Sequence, residues 1–262
     1  LYKFAKVNTT VNIDTKKEFA IKFDTAQVSG NIKSGSIAVN GKINLLTPRP
    51  AYDFTLKVQD VIPASISPGI EVTDPLSLDA KVGGVSPAPL ITGTFKMPRL
   101  TMEPLVLEQT QGEFRYHNAV LNITQSNATV YGGAVQLVGN INIDNDEFYF
   151  NIAGQGLDST QATDAKISGP LDFTAVAQGN SANTLIAGGH FVIGKGSFAS
   201  IPFKGMEGDF ARENRKMYFS NIVVRTFAGD LNANLIQGDN GKVQVGMLTK
   251  DPAVLRNELQ QG

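Results

Sequence analysis

The chain repeats itself at a fixed offset, and that offset limits what it can fold into. Gly93-Thr94-Phe95 recurs as Gly189-His190-Phe191, and Gly112-Glu113-Phe114 recurs as Gly208-Asp209-Phe210, both 96 residues on. At the same offset Asn118 falls on Asn214, and Tyr131-Gly132-Gly133 on Phe227-Ala228-Gly229. Apolar positions coincide between these anchors: Met97 with Ile193, Met102 with Phe198, Leu105 with Ile201, Leu107 with Phe203, and Leu121 and Ile123 with Met217 and Phe219. From Gly93 to Val135 the match needs no gap. Tyr52, Phe54 and Leu56 also fall on Phe148, Phe150 and Ile152 at 96, and Leu76, Leu78 and Ala80 on Leu171, Phe173 and Ala175 at 95. Gly35-Ser36-Ile37 through Leu45 resembles Gly133-Ala134-Val135 through Ile143 at 98. The chain reads as a partial first copy over 1–90, a second over 91–185, a partial third over 186–248, and a tail over 249–262. A fixed period favours an elongated architecture in which each unit packs only on its neighbours.

Within a copy the apolar residues recur every second position. Val135, Leu137, Ile141 and Ile143 alternate with Gln136, Asn140 and Asn142; Leu171, Phe173, Ala175 and Ala177 form a second set, Phe148, Phe150 and Ile152 a third, and Val243, Val245 and Met247 a fourth. That period marks strands with one apolar and one polar face. Turn residues separate the runs, at Asp144-Asn145-Asp146-Glu147 and at Asp239-Asn240-Gly241, where Asn-Gly suits a two-residue hairpin turn with both central φ angles positive. The Pro-, Ser- and Gly-rich stretch Ile62–Pro75 reads as a loop, with short helical turns expected near Ala64–Ser67 and Ser159–Ala162. Asp251-Pro252 followed by Val254, Leu255 and Leu259 reads as the capped start of a short C-terminal helix. The expected fold is therefore all-β: an elongated, curved antiparallel sheet built from repeats of about 96 residues.

Composition removes several functions. There is no Cys, so no disulfide framework, thiolate nucleophile or thiolate metal site is available. Two His leave little material for a metal centre or a His-based catalytic network, and they are not shared between copies: His117 falls on Glu213 and His190 on Thr94. A net charge of −1 argues against a nucleic-acid partner. Asp144, Asp146 and Glu147 lack the spacing of a calcium loop, and Gly194-Lys195-Gly196 lacks that of a phosphate loop; both read as turns. Asn8-Thr9-Thr10, Asn122-Ile123-Thr124 and Asn127-Ala128-Thr129 fit the glycosylation pattern, which matters only in a eukaryotic secretory setting. No pair of carboxylates repeats or stands apart from turns, as a carbohydrate-cleaving site would need. No catalytic residue, metal ligand or cofactor is assigned, and the expected activity is not enzymatic. The chain begins at Leu1 and ends in a polar tail, which reads as a segment of a longer protein whose membrane anchor lies outside it.

The ordered series Gly93-Thr94-Phe95, Gly112-Glu113-Phe114, Leu121-Asn122-Ile123 and Ala128-Thr129-Val130-Tyr131-Gly132-Gly133-Ala134-Val135, with its recurrence through Phe227-Ala228-Gly229-Asp230-Leu231, resembles the AsmA/TamB-like superfamily of Gram-negative envelope proteins. The likeness is to the repeat toward the C-terminal part of AsmA-like chains and covers about Gly30 to Gln237. It implies a sheet curled into an open, taco-like trough with an apolar interior. It also implies a periplasmic location, an inner-membrane anchor in the full-length protein, and a part in moving phospholipids toward the outer membrane. One branch of the superfamily implies outer-membrane proteins as partners.

The residues agree with that implication in kind. A sheet with one apolar face needs a cover, whether a second sheet, helices or an acyl chain. Each buried CH₂ gains about 0.8 kcal/mol without directional constraint, so a lipid can move along repeated units with no catalytic group. The apolar face is assigned Leu121, Ile123, Val135, Leu137, Ile141 and Phe150, and in the later copy Phe191, Ile193, Phe210, Phe219, Leu231 and Val245. These residues are candidates for contact with a phospholipid or other acyl-chain ligand; for any single one of them, core packing between two sheet halves is the more ordinary role. A scaffold that assists outer-membrane protein assembly by strand addition is the alternative function. Gly132, Gly133 and Gly229 are assigned to bends, and Gly93, Gly112, Gly189 and Gly208 to corners of the repeated unit.

Overall fold

A computed structural model describes residues 6–8, 11–14, 20–29, 35–45, 48–66, 72–102, 105–162, 166–180, 184–213, 216–237 and 243–249. The C-terminal helix expected from Asp251 onward and the Asp239-Asn240-Gly241 turn lie outside these residues, whereas Thr249, assigned to the helix or tail, ends a strand. The chain divides into two units, Leu1–Ala128 and Thr129–Gly262. It is nearly all β, and the sheet is antiparallel, curved and not closed.

In unit 1, β1 (Lys6–Asn8) and β2 (Val11–Asp14) both pair with β3 (Ala20–Ser29). The meander continues through β4 (Ser36–Asn44) and β5 (Ala51–Val61), and after the single helical turn α1 (Pro63–Ile66) through β6 (Leu76–Val85), β7 (Ala88–Met102) and β8 (Leu105–His117). β9 spans Val120–Val130. In unit 2 the strands are β10 (Gly133–Asn142), β11 (Phe148–Asp158), the turn α2 (Ser159–Ala162), β12 (Ile167–Ser168), β13 (Pro170–Gly179), β14 (Ile186–Ile193), β15 (Gly196–Phe198), β16 (Ile201–Phe203), β17 (Gly205–Glu213), β18 (Lys216–Arg225), β19 (Asp230–Gln237) and β20 (Val243–Thr249). The large ladder runs β10–β11–β13–β14–β17–β18–β19–β20, and β12, β15 and β16 make a small separate sheet.

The sequence period reappears in the hydrogen-bonded register. β7 and β8 pair Gly93 with Phe114; β14 and β17 pair Gly189 with Phe210, the same couple 96 residues on. The helical turns α1 and α2 stand 96 residues apart as well. Local chemistry explains both starts: α1 opens on Pro63, whose fixed φ fits a first helical position, and α2 is capped by Asp158, whose Oδ1 accepts the Thr160 N–H at 3.0 Å. Just before each turn the ladder slips by one residue, between Val58 and Val61 and between Gly154 and Leu157. The extra residues are Asp60 (φ 49°) and Gly156 (φ 67°), so one bulge with a left-handed residue recurs at equivalent places. A bulge shifts the alternation, which is why Val61 and Leu157 return to the apolar face after an odd step.

The Asp144–Glu147 segment is a turn, as expected: the Asn142 and Asn145 side chains accept from the Asp144 and Glu147 amides at 3.0 and 3.1 Å. The corner assignment of the mid-copy glycines is corrected. Gly93, Gly112, Gly189 and Gly208 lie inside strands, each directly opposite a phenylalanine: Phe114, Phe95, Phe210 and Phe191. Gly41, Gly139 and Gly154 likewise face Phe54, Phe150 and Phe173. A Cβ on Gly112 or Gly189 would meet the opposite ring at 2.8 Å, so the rings lie over bare backbone. This is aromatic cover of glycine across a ladder, used in both units.

Thr110 interrupts the apolar face of unit 1. Thr110, the ladder partner of Met97, is 7 % exposed and its hydroxyl has no hydrogen-bond partner. The equivalent residue in unit 2 is Met206. An unpaired buried hydroxyl is destabilising by about 1–3 kcal/mol, and valine has the same shape without it. Thr110→Val is therefore expected to stabilise the protein by about 1 kcal/mol, read as a higher denaturant midpoint at unchanged m-value. A lower midpoint would mean that the hydroxyl is satisfied.

Candidate functional site

Directly opposed residues share a face of a sheet, so the ladders convert the alternation into rows. Unit 2 has four such rows on its apolar face. The first runs Leu157, Leu171, Ile193, Met206, Val224, Leu231, and the second Gly154, Phe173, Phe191, Gly208 with Val135 at its start. The third runs Leu137, Ile152, Ala175, Gly189, Phe210, Phe219, and the fourth Gly139, Phe150, Ala177, Ala187, Arg212, Met217. Beyond the fourth, Ile141 faces Phe148, whose ring stacks on that of Phe150 at 6.0 Å.

The two ends of this face differ. At the first two rows, Phe203 of the small sheet is buried against Phe191, Ile193, Met206 and Ile222, with Ile167 alongside. Phe191 and Ile193 are 8 % and 3 % exposed, so these two candidates belong to a closed core. The hairpin that carries Phe203 turns at Ala199 and Ser200, both with positive φ, and Ser168 Oγ lies 2.9 Å from Ser197 Oγ between β12 and β15. At the other end Leu137, Ile141, Phe148, Phe150 and Ile152 are only half-buried. Val135, Phe210, Phe219 and Leu231 are half-buried too. Val245 lies in β20, opposite Leu235. Leu121 and Ile123 are half-buried on β9 in unit 1, whose own apolar rows follow the same scheme, for example Val39, Leu56, Ala80, Gly93, Phe114.

The site candidates named from the sequence omit Phe148, Ile152, Phe173, Met206 and Ile222, which share the face. The alternation that marked their neighbours also marks the first three. Ile222 was hidden by the bulge at Asn221 (φ 53°), which shifts the alternation after Phe219. Arg212 was also missed, although its even-numbered spacing from Met206, Gly208 and Phe210 places it on the apolar side of β17.

The opposite face of unit 2 is mixed, with Val138, Tyr149, Val176 and Val192 exposed among polar residues, and it carries a hydrogen-bonded group. His190 and Asp209 are 19 residues apart in sequence, yet the β14–β17 ladder sets them opposite each other, with Nδ1 2.9 Å from Oδ1. Asn221 Nδ2 donates to Asp209 Oδ2 at 2.8 Å, and Asn234 Oδ1 accepts from the Asn221 amide at 3.1 Å. The Asn221 hydrogen bond first, and the His190 contact second, hold the Asp209 pKa below its ordinary 3.8. A carboxylate depressed in this way contributes stability above its unfolded pKa and loses it as pH falls through the folded value. Asp209→Asn is accordingly expected to be less stable than wild type at neutral pH, with the gap closing below about pH 4. Urea midpoints across pH check this; a gap that persists at the acid end would remove the titration from the explanation. Beside this group lies a shallow depression of about 400 Å³ over Val138, Ala153, Val176 and Gly188, interrupted by Gln136, Asn151 and Thr174.

No family model matches the chain, and no curated protein or solved structure matches it. The half-buried apolar rows therefore rest on their own geometry as the candidate site.

Proposed function

We propose that the chain is a non-enzymatic, lipid-handling segment of an AsmA-like envelope protein. It holds phospholipid acyl chains against the apolar faces of its sheet and supports lipid transport between the inner and outer membranes. The observation that carries this reading is the half-buried end of the apolar face in unit 2, where Leu137, Ile141, Phe148, Phe150 and Ile152 stand in register across adjacent strands. Burying the CH₂ groups of an acyl chain there gains about 0.8 kcal/mol each. The depression on the other face suits an acyl chain less, because amide and hydroxyl side chains interrupt its apolar floor. In the cell this function places the chain in the periplasm, tied to the inner membrane by an anchor elsewhere in the protein.

The test compares neighbouring residues on opposite faces. Leu137→Asp puts a charge on the apolar rows, whereas Val138→Asp puts one on the other face, where Val138 is already 44 % exposed. Native mass spectrometry with a dioleoyl phospholipid is expected to show Leu137→Asp weakening binding by about tenfold or more, for the loss of about two CH₂ contacts, and Val138→Asp leaving it unchanged. Circular dichroism keeps loss of folding separate from loss of binding. A wild-type chain that binds no acyl ligand, or a folded pair with the effects reversed, would overturn the proposal.

A further inference from the structure

One charged side chain stands on the apolar rows of unit 2 among the described residues. Arg212 follows Met206, Gly208 and Phe210 on the same side of β17, and its ladder partners are Ala187 and Met217. It is half-buried and forms no ion pair with a described residue. Among the described residues the charges beside it, Glu213 and its ladder partner Lys216, belong to the opposite face. The equivalent residue in unit 1 is Tyr116, so the charge is peculiar to unit 2.

A guanidinium among apolar side chains gives up part of its hydration, which an anionic partner would restore. Here the long stem can lie along Phe210 and Met217 while the fork points outward, which leaves its donors available to an external anion. The spacing along the strand also matters. Arg212 and Met206 are six residues apart on β17, which is about 20 Å of strand. One leaflet's worth of acyl chain spans about 15 Å, half of a hydrocarbon core of about 30 Å. A tail that starts at Arg212 and follows β17 would therefore end at the closed core around Phe203.

We propose that Arg212 binds the anionic phosphodiester of an acyl lipid whose tail lies along β17, across the rows of unit 2. The proposal rests on the acyl-binding reading above and adds headgroup recognition to it. Guanidinium and phosphodiester match in bidentate, charge-assisted hydrogen bonds.

The 262-residue chain, as wild type, Arg212→Gln and Arg212→Lys, is titrated with dioleoyl phosphatidylglycerol, with dioleoylglycerol and with inorganic phosphate. Wild type is expected to prefer phosphatidylglycerol to dioleoylglycerol by about tenfold. Arg212→Gln should abolish that preference by weakening the phospholipid alone, and Arg212→Lys should keep part of it. The proposal is overturned if the preference survives Arg212→Gln. It is overturned equally if both lipids weaken together, which would make Arg212 a packing residue, or if inorganic phosphate alone binds as tightly as the phospholipid through Arg212, which would make this a free-anion site. Dioleoylglycerol that binds without any preference sinks the headgroup role and leaves the acyl reading standing; if neither lipid binds wild type, both fall.

Discussion

Gly189→Ala is expected to destabilise the protein by about 3 kcal/mol or more, while Gly188→Ala next to it is expected to be neutral or slightly stabilising. The two glycines sit side by side on β14 and differ only in what lies beyond their missing side chains. A Cβ at Gly189 would run into the Thr174 carbonyl oxygen, and it would meet Phe210 Cζ at 2.8 Å and Ala175 Cα at 2.9 Å. Two of those contacts are backbone, which cannot move without disturbing the β13–β14 ladder. A Cβ at Gly188 would meet only the Phe210 oxygen, at 3.6 Å, an ordinary contact. Neither glycine has a positive φ, so alanine is not strained at either. At Gly188 the remaining effect is the smaller entropy of the unfolded chain, which favours alanine by about 0.4–1 kcal/mol. Denaturant unfolding of the two variants checks the difference. Equal midpoints would mean that the rings do not rest on glycine backbone.

Phe203→Ala carries the second large expected effect, a loss of about 3–5 kcal/mol. Phe203 is 2 % exposed and fills the space between the small sheet and the first rows of the large one. Alanine leaves a cavity among Phe191, Ile193, Met206 and Ile222 and takes away the main contact that β16 makes with the core. Phe227→Ala serves as the comparison: its ring is 63 % exposed and has Lys204 Nζ 5.0 Å from its centre, so its loss should stay within about 0.5 kcal/mol. A Phe203→Ala variant as stable as Phe227→Ala would mean that the small sheet does not close that end of the face.

Much of this architecture was legible in the chain. The recurrence of Gly93-Thr94-Phe95 and Gly112-Glu113-Phe114 at 96 residues predicted ladders repeated in the same register, because equivalent alternation and equivalent turn spacing specify equivalent pairing. The second helical turn fell on Ser159–Ala162 as read, and Asp144–Glu147 formed a turn. The mid-strand glycines were read as corners because glycine breaks strands more often than it hides beneath a ring; only the opposing strand shows a phenylalanine there. The pairing of His190 with Asp209 was equally out of reach, since each residue alone looks like an ordinary solvent-facing side chain. The same holds for the Tyr131-Gly132-Gly133 and Phe227-Ala228-Gly229 match. The first turn uses two positive φ angles, at Tyr131 and Gly132, whereas in the second the Thr226 hydroxyl accepts from the Ala228 and Gly229 amides at 3.1 Å each. One place in the repeat is thus turned by two different chemistries.

Alternation along the chain shows which side of a strand is apolar wherever no bulge interrupts it, and the recurrence at 96 shows which strands are equivalent, because both are written in the order of the residues. How deeply each apolar residue is covered depends on packing between distant segments. Leu137 and Ile193 carry the same alternation signal, yet Ile193 is 3 % exposed beneath Phe203 and Leu137 stays half-buried. Alternation reports a face, whereas burial depends on what packs against that face. Here the cover is a hairpin, Gly196–Phe203, placed over β14 and β17 by long-range contacts that no local pattern encodes.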